Sequence, residues 1–245
     1  MKTITFISDF GTEDWFVAAV KGEIFKIADD VRLVDITHSI MPFDIRGAAF
    51  LLSAVYGNFP MGTVHLVVVD PGVGSSRRPI VVDSLGYYFV GPDNGLFSYI
   101  YDQDSRVYGI RIPVGASTTF HARDIFGPAA AKVAIGVKPR ELGTELRDYV
   151  RFEIPMVRRT AGVLHGEIVY IDHFGNCITN VPNREDIGTI QVSDVSIKVK
   201  KSYSNGELNE LVCVKGSIGY YEIASNQGSA RDKLQAHVGM QVEAG

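Results

Sequence analysis

The first residues whose types and spacing suit chemistry lie between positions 70 and 77. Asp70 ends an apolar run, glycines follow at positions 72 and 74, and Arg77 comes seven positions after the carboxylate. A carboxylate and a guanidinium at this spacing can act on a charged reactant, and the glycines let the backbone come close to a ligand. A tight interstrand loop with a surface ion pair is the alternative. Because the segment matches neither the dinucleotide fingerprint nor an NTPase loop, NTP hydrolysis is not predicted.

A second candidate is His121, which begins the run His-Ala-Arg-Asp at the start of a predicted helix. An unperturbed imidazole pKa of about 6.5 leaves much of the ring neutral at pH 7, so His121 can act as a proton acceptor. A lone histidine is also often structural. The sequence has 6 histidines but no HxH or HExxH spacing, and therefore predicts no metal site.

Three further polar segments lie at or beside predicted strands. Asp9 follows the first strand, where open α/β sheets bind ligands, and a carboxylate there can accept both hydrogens of a ribose diol. A helix cap or a turn residue is the alternative for Asp9. Residues 172–176, Asp-His-Phe-Gly-Asn, join an acid, a ring and an amide that can read a base edge, although Gly-Asn also suits a plain turn. Residues 216–226 by themselves favour an ordinary barrel strand.

The elements that must position these residues alternate between strand and helix over the first 150 residues. The β-branched run at 64–70 is typical of a strand buried on both faces of a mostly parallel sheet. Asp44 is expected to cap one helix and Asp124 another. A hairpin is expected to turn at Leu85-Gly86. The pattern predicts an α/β domain with a mostly parallel, layered sheet. The other predicted elements are strands at 4–8 and 31–37 and a helix at 13–28.

From about residue 160 the helical period gives way to short strands separated by turns, which predicts a second, all-β domain. The segment 153–162 contains a proline, two arginines and a glycine and is the expected boundary. The sequence therefore predicts an α/β domain at 1–155 and an all-β domain at 160–245.

Composition limits the classes of function. The chain has 245 residues, 46% of them hydrophobic, and a net charge of −4 without a basic half, so disorder and nucleic-acid binding are not expected. The 2 cysteines form no CxxC pair or disulfide framework, which favours a reduced cytoplasm. No signal peptide or apolar run of membrane-spanning length is recognised, so a soluble protein is expected.

Taken in order, the motifs resemble one family. They are SDFG, THSI, VVVDPGVG, GPDNG, TFHARDIFGPAAA, DHFGN and GSIGYYEIASNQGSA, from Ser8 to Ala230. They resemble the S-adenosylmethionine hydroxide adenosyltransferases, which are adenosine-forming S-adenosylmethionine hydrolases related to bacterial fluorinases and chlorinases. The resemblance implies an N-terminal α/β domain, a C-terminal β-barrel and a homotrimer with active sites between domains of neighbouring subunits. It also implies hydrolysis of S-adenosylmethionine to adenosine and L-methionine, with no separate cofactor and no metal.

The resemblance assigns roles to residues of the first domain. Asp70, Arg77 and His121 match the family's set that handles the attacking water. Asp9 matches the carboxylate that binds the ribose diol, and Phe43 occupies the position of a ring beside the nucleoside. The chain departs from the family's usual glycine by placing an alanine at position 122.

It assigns substrate contacts in the second domain as well. Asp172 matches the contact to the methionine amino group, although its spacing to Phe174 is one residue shorter than in the halogenases. Asn176 and the backbone around Ala224 to Gln227 match adenine contacts. The other residues carried over are Ser217 for the methionine carboxylate, Ser225 beside the adenine, and Phe174 and Glu222 as members of the same motifs.

Two other functions compete with hydrolysis. A halogenase is disfavoured because its halide-using relatives carry an aromatic residue where this chain has Asp70, and a carboxylate repels a halide. A non-enzymatic sensor of adenosine or S-adenosylmethionine has no use for Asp70, Arg77 and His121 together. The combined set therefore favours a hydrolase.

Overall fold

A computed structural model describes residues 2–245, which fall into two units that meet in sequence between Glu153 and Ile154. The helices of the first unit are α1 (Phe16–Phe25), α2 (Ile45–Val55), α3 (Gly127–Ala134) and α4 (Pro139–Leu142). Its strands are β1 (Lys2–Ser8), β2 (Val31–Thr37), β3 (Val64–Val68), β4 (Pro79–Ser84), β5 (Tyr87–Pro92), β6 (Arg106–Ile110) and β7 (Gly143–Leu146).

The sheet of the first unit has the order β2-β1-β3-β5-β4-β6-β7. The pairs β2–β1, β1–β3 and β3–β5 are parallel, whereas β5–β4, β4–β6 and β6–β7 are antiparallel. The prediction of a mostly parallel sheet is therefore confirmed only in part. The chain reverses at the predicted turn, where Leu85 and Gly86 both have positive φ values, and the antiparallel half begins there.

Apolar side chains on both faces of this sheet are buried under helices. Ile4 and Phe6 of β1 pack in one cluster with Val20 of α1 and with the alanines of α3. On the other face, Ile7 packs in a cluster with Leu52 of α2. This alternation follows from the two-residue period of a strand. α2 begins as predicted, because the Asp44 carboxylate accepts a hydrogen bond from the backbone N–H of Gly47 at 2.8 Å.

A buried imidazole lies within this sheet. His65 of β3 is fully buried, its ring stacks on Phe89 at 5.1 Å between centroids, and its Nδ1 is 2.7 Å from Thr5 Oγ1. Its Nε2 has no hydrogen-bond partner among residues 2–245. Burial lowers the pKa of His65 to about 4 because the charged ring would lose its hydration.

His65 should make the fold acid-sensitive. The His65 ring binds a proton near pH 6.5 in the unfolded chain but only near pH 4 in the folded chain. The contribution of His65 to stability is therefore fully present above pH 6.5 and is lost as the pH falls from 6.5 to 4. Between pH 7.5 and 5, we expect the free energy of unfolding to lose about 2 kcal/mol from this group. Urea titrations of the wild type and His65→Phe at both pH values measure it. An equal pH dependence in the two proteins would contradict this assignment.

The second unit consists mainly of antiparallel strands. They are β8 (Arg158–Thr160), β9 (Val163–Ile171), β10 (Cys177–Pro182), β11 (Thr189–Val192), β12 (Val195–Lys198), β13 (Leu211–Lys215), β14 (Tyr220–Ser225) and β15 (Gln241–Ala244), with a short helix α5 (Ala230–Leu234). The sheet order is β12-β11-β15-β9-β10-β14-β13, and β8 pairs with β9. Val199 bridges to Cys213, and Lys200 N donates to Cys213 O at 2.8 Å. These contacts bring the two edges together, so the sheet is nearly closed and barrel-like.

Both cysteines lie in this sheet. Cys177 on β10 and Cys213 on β13 are each paired with Ile223 of the strand between them. Two strand spacings are about 10 Å, which exceeds the distance of about 7 Å that a disulfide can bridge. Burial raises the pKa of each thiol to about 12. Across residues 2–245, the structure contains no helix long and apolar enough to cross a membrane.

Candidate active site

The predicted residues of the first unit converge at one edge of the sheet. β1 and β3 are parallel neighbours, and Asp9 and Asp70 follow their carboxyl ends. Both carboxylates and His121 line a cavity of about 440 Å³. Its other lining residues are mainly apolar and include Phe10, Phe16, Phe43, Val68, Phe120 and Ala122. A mostly apolar cavity with a few convergent polar groups is typical of a small-molecule site.

Arg77 joins Asp70 to His121. Its Nε donates to Asp70 Oδ1 at 2.8 Å and its Nη2 donates to Oδ2, which makes a two-pronged ion pair. Nη2 also lies 2.7 Å from His121 Nδ1. The side chains of Arg77 and Asp70 are only 9% and 6% exposed, so the pair is buried and not the surface pair of the alternative interpretation.

Glycine explains how the loop from Asp70 to Arg77, the 70–77 loop, approaches the residues before His121. Gly74 has a φ of +77°, and a Cβ there would lie 2.3 Å from Thr118 O. Any side chain at this position would therefore push the two loops apart. The close approach brings the arginine and the histidine, 44 positions apart, within hydrogen-bonding distance.

The arginine contact determines the tautomer of His121. A guanidinium has donors only, so His121 Nδ1 must accept, and the proton of the neutral ring lies on Nε2. Burial, followed by the positive charge of Arg77, lowers the pKa of His121 below 6.5, against the weaker opposite effects of Asp70 and Asp124. His121 is therefore neutral at pH 7 and presents an N–H at Nε2. Arg77 also keeps a free donor, because its buried Nη1 has no partner in the described chain.

A π-helical turn follows the histidine. It spans Ala122–Phe126 and leads directly into α3. The prediction that Asp124 caps this helix is wrong: Asp124 lies inside the π turn and accepts a hydrogen bond from Ser117 N at 2.8 Å. Such turns are frequent at functional sites. Ala122, which replaces the glycine usual in the resembled family, lines the cavity.

Asp9 is fixed by the backbone of Phe43. Its Oδ2 accepts the Phe43 N–H at 2.9 Å, and Phe43 adopts a left-handed φ of 70° to present it. A phenylalanine rarely takes this conformation, and backbone strain of this kind clusters at binding sites. Phe43 as a whole residue remains 69% exposed, and it lines the cavity. Because Trp15 precedes α1 without a side-chain cap, Asp9 does not cap that helix.

Burial raises the pKa of Asp9 above 3.8, with a further contribution from the charge of Asp70, while the Phe43 N–H opposes the increase. The two carboxylates therefore repel each other across the cavity. A cation placed between them would relieve this repulsion. The cavity is suited to a positively charged ligand.

The predicted residues of the second unit form two groups. Asp172 Oδ1 accepts from the backbone N–H groups of Phe174 and Asn176, and its Oδ2 accepts from Asn176 Nδ2, all at 2.9 Å. This geometry is a turn, as the alternative interpretation held, and it leaves Phe174 73% exposed. Because Cys177 pairs with Ile223, the next residues bring Asn176 beside Ala224.

Glu222 and Ser225 complete the first group. Glu222 Oε1 accepts from Tyr203 OH at 2.7 Å, and burial together with the nearby Asp172 raises the pKa of Glu222. Ser225 Oγ is buried and lacks a hydrogen-bond partner within residues 2–245. Ser217 lies apart, in the turn between β13 and β14 at the other end of β14. Their substrate contacts stay predictions.

Two family models match the chain. The N-terminal domain model of the SAM hydroxide adenosyltransferases, SAM being S-adenosylmethionine, covers residues 4–143, and the C-terminal domain model covers residues 166–243. The chain belongs to the SAM hydroxide adenosyltransferase family. The resemblance seen in the sequence motifs is thereby confirmed.

Relatives of this SAM hydroxide adenosyltransferase family member carry names of two kinds. A protein of Thermus thermophilus named (R)-S-adenosyl-L-methionine hydrolase is 36% identical, and the match covers 99% of both chains. A protein of Actinopolyspora mzabensis named fluorinase is 27% identical, over 98% of this chain and 95% of the relative. The crystal structure of an uncharacterised conserved protein from Thermotoga maritima superposes with a TM-score of 0.90 at 31% identity, covering 98% of this chain and 99% of that one.

Sequence reasoning missed two features of this family member's site. One is a chain of contacts behind Asp9, in which Ser8 Oγ lies 2.7 Å from His38 Nδ1 and His38 Nε2 lies 3.1 Å from Asp35 Oδ1. The motifs SDFG and THSI contain Ser8 and His38 but gave no role to either. The other feature is the contribution of Phe10, Phe16 and Phe120 to the cavity lining, beside the predicted Phe43. Phe10 and Phe120 adjoin Asp9 and His121 in sequence, which was the available signal.

Metal ligands do not cluster in this family member. Among residues 2–245 no group of three or more His, Cys, Asp or Glu side chains is arranged to hold a metal ion. Of the polar groups at the cavity, Asp70 and His121 Nδ1 are already engaged by Arg77. The arrangement can bind a cation, orient a water molecule and stabilise negative charge on it.

Proposed function

We propose that the protein hydrolyses S-adenosyl-L-methionine by attack of water or hydroxide on C5′, giving adenosine and L-methionine. The full-length relationship to proteins named as hydrolases of this substrate supports the proposal. The observation that carries it is the buried Arg77, which holds Asp70 and His121 and keeps one donor free at Nη1.

The reaction needs positioning more than strong acid or base chemistry. The sulfonium sulfur makes L-methionine a good leaving group, so the enzyme has to aim an oxygen nucleophile at C5′ opposite the departing sulfur. The His121 Nε2–H is the donor that stabilises developing hydroxide, and the positive charge of Arg77 directly behind the imidazole adds to this stabilisation. As the C–O bond forms the C–S bond breaks, the sulfur keeps the electron pair, and the proton of water goes to solvent.

The remaining predicted residues bind the substrate in this proposal. Asp9 accepts hydrogen bonds from the ribose diol, and Phe43 lies beside the nucleoside. Residues of a second unit contact the adenine and the methionine, in a homotrimer whose neighbouring subunits complete each site. The proposal needs no separate cofactor or metal and places the protein in the cytoplasm. The residues of the second unit are Asp172, Phe174, Asn176, Ser217, Glu222, Ala224 and Ser225.

Chromatography of the products tests the proposed reaction. Incubation with S-adenosylmethionine should release adenosine and methionine in equal amounts. Asp70→Ala and His121→Ala should lose turnover while retaining adenosine binding. Stoichiometric binding without release would indicate a sensor instead, and a chlorinated nucleoside formed in chloride buffer would indicate a halogenase. The lower identity to the relative named fluorinase, 27% against 36% for the relative named hydrolase, argues against the halogenase.

The phenylalanine cluster should select for the positive charge of the substrate. The rings of Phe10, Phe16 and Phe120 are in mutual contact, with centroids 5.3 to 6.2 Å apart, and line the cavity. A sulfonium held against such rings gains about 0.5–2 kcal/mol. In a His121→Ala background, which prevents turnover, Phe16→Leu should weaken S-adenosylmethionine binding about 3- to 30-fold, leaving the neutral thioether S-adenosylhomocysteine almost unaffected.

Calorimetry of both ligands measures this selectivity. Phe25→Leu, at an exposed position of the same helix, is the matched control and should change neither affinity. An equal loss for the charged and the neutral ligand would show that Phe16 supplies packing without recognising charge.

A further inference from the structure

The turn that follows β5 contacts the residue just before the 70–77 loop and the residue just after it. Asn94 Nδ2 donates to Val69 O at 2.9 Å, and Asn94 Oδ1 accepts from Leu96 N at 3.2 Å. The amide nitrogen thus donates and the amide oxygen accepts, which fixes the orientation of the Asn94 side chain. Val69 immediately precedes Asp70, so this bond fixes the chain where the carboxylate begins.

Asp93 makes the matching contact at the other end. Its Oδ2 accepts from Arg78 Nε at 3.0 Å and from Arg78 Nη2 at 2.7 Å, while its backbone N–H donates to Arg78 O at 2.9 Å. Its Oδ1 accepts from Val150 N at 2.8 Å. The Asp93 side chain is only 2% exposed. Arg78 immediately follows Arg77, so the point where the loop ends is also fixed.

Apart from the ion pair of Asp70 and Arg77 themselves, the 70–77 loop contains only short-range bonds between its anchors. Val73 N donates to Asp70 O at 3.2 Å, and Ser75 N and Oγ donate to Gly72 O at 3.1 and 2.7 Å. These short-range bonds shape the loop but do not fix the backbone at its two ends, on which the geometry of the Asp70–Arg77 pair depends. The adjacent residues Asp93 and Asn94 hold both ends from one turn. Neither residue lines the 440 Å³ cavity.

We propose that Asn94 and Asp93 are positioning residues that hold Asp70 and Arg77 in register with each other and with His121. The expected effect of these residues on turnover rests on the proposed hydrolysis, whereas their expected effect on the geometry of Asp70, Arg77 and His121 does not. Arg77 contacts two partners with adjacent nitrogens, so a displacement of either loop end breaks one of these contacts. A misplacement of about 1 Å can cost about 100-fold in rate.

The test variant is Asn94→Ala, and Thr63→Ala is its matched control. Thr63 Oγ1 donates to Pro60 O at 2.7 Å just before β3, at the end opposite Asp70. Both variants remove a side-chain bond to a backbone carbonyl, and Asn94→Ala also removes the bond from Leu96 N, but only Asn94→Ala releases the 70–77 loop. We expect it to lower kcat about 10- to 100-fold with KM and the adenosine dissociation constant little changed. Thr63→Ala should leave kcat unchanged.

A second measurement does not depend on turnover. Arg77, Asp70 and Asp124 are the charged groups that act on His121, and the positive charge of Arg77 helps to lower its pKa. In Asn94→Ala the NMR titration of the His121 ring should therefore move upward, towards its ordinary value. If the wild type releases no adenosine, the proposed function fails while this titration still decides the inference. Asn94→Ser replaces Asn94→Ala if the latter does not fold.

A double-mutant cycle separates positioning from general stability. In an Arg77→Met background, Asn94→Ala should cause little further loss of kcat, because the group on which it acts is gone. Equal losses of kcat in both backgrounds would overturn the proposal. An unchanged His121 titration in the folded Asn94→Ala variant would overturn it as well.

Discussion

Arg77→Ala should lower kcat for S-adenosylmethionine hydrolysis by at least about 10³-fold, because it removes the positive charge behind the nucleophile and the partner of His121 Nδ1 together. It also leaves the buried Asp70 without its counter-ion. Removing one partner of a buried pair costs about 3–5 kcal/mol of stability. Single-turnover assays with product chromatography measure the rate, and urea unfolding measures the stability.

Two variants separate these effects. Arg77→Lys keeps the charge but cannot reach Asp70 and His121 with adjacent nitrogens, so it should regain much of the stability and little of the rate. Asp70→Asn combined with Arg77→Met removes both charges and should also be more stable than Arg77→Ala, yet inactive. A rate for Arg77→Ala within tenfold of the wild type would exclude the arginine from the chemistry.

Asp9→Asn should raise KM about 100-fold and change kcat little. The carboxylate can accept hydrogen bonds from both ribose hydroxyls, and bonds to a charged group are worth about 1.5–3 kcal/mol each. The amide retains one acceptor, which the Phe43 N–H already uses in the wild type. Steady-state kinetics measure KM, and calorimetry with adenosine measures nucleoside affinity directly.

The dideoxy nucleoside supplies the control for this prediction. The wild type should prefer adenosine over 2′,3′-dideoxyadenosine by a large factor, and Asp9→Asn should lose most of that preference. Asp30→Asn is the matched surface variant, because Asp30 is exposed and directly precedes β2. Since β1 and β2 are parallel, Asp30 lies at the amino ends of the strands and Asp9 at their carboxyl ends. An Asp9→Asn variant that still discriminates between the two nucleosides would show that another group binds the diol.

Part of this arrangement could be predicted because it is local. The β-branched run before Asp70 and the strand before Asp9 place both residues at strand ends, and the parallel pairing of β1 and β3 then brings them to one edge. The Asp44 cap could be predicted as well, because it involves only Asp44 and the first turn of the helix that follows it. By contrast, β7 has little apolar alternation and joins the sheet only by pairing with β6, more than 30 positions earlier. No local pattern could predict the antiparallel half in full.

Contacts between buried polar groups were hidden for the same reason. Asp93 meets Val150 across 57 positions and Ser8 meets His38 across 30, so their partners depend on tertiary packing. Asp124 fits a helix-cap pattern in sequence, but the π turn moves the start of α3 beyond it. The sequence predicts a carboxylate and a guanidinium at Asp70 and Arg77. It does not predict that their ion pair is buried, because the burial depends on the close approach of the two loops at Gly74.

The placement of the cysteines makes this chain a convenient host for chemical labels. Cys177 and Cys213 are buried and far from thiolate formation at neutral pH, since both have a pKa of about 12. A cysteine introduced at an exposed position, for example Asp30→Cys, would be the one reactive thiol. A fluorophore or spin label could then be attached at that single position while both natural cysteines stay in place.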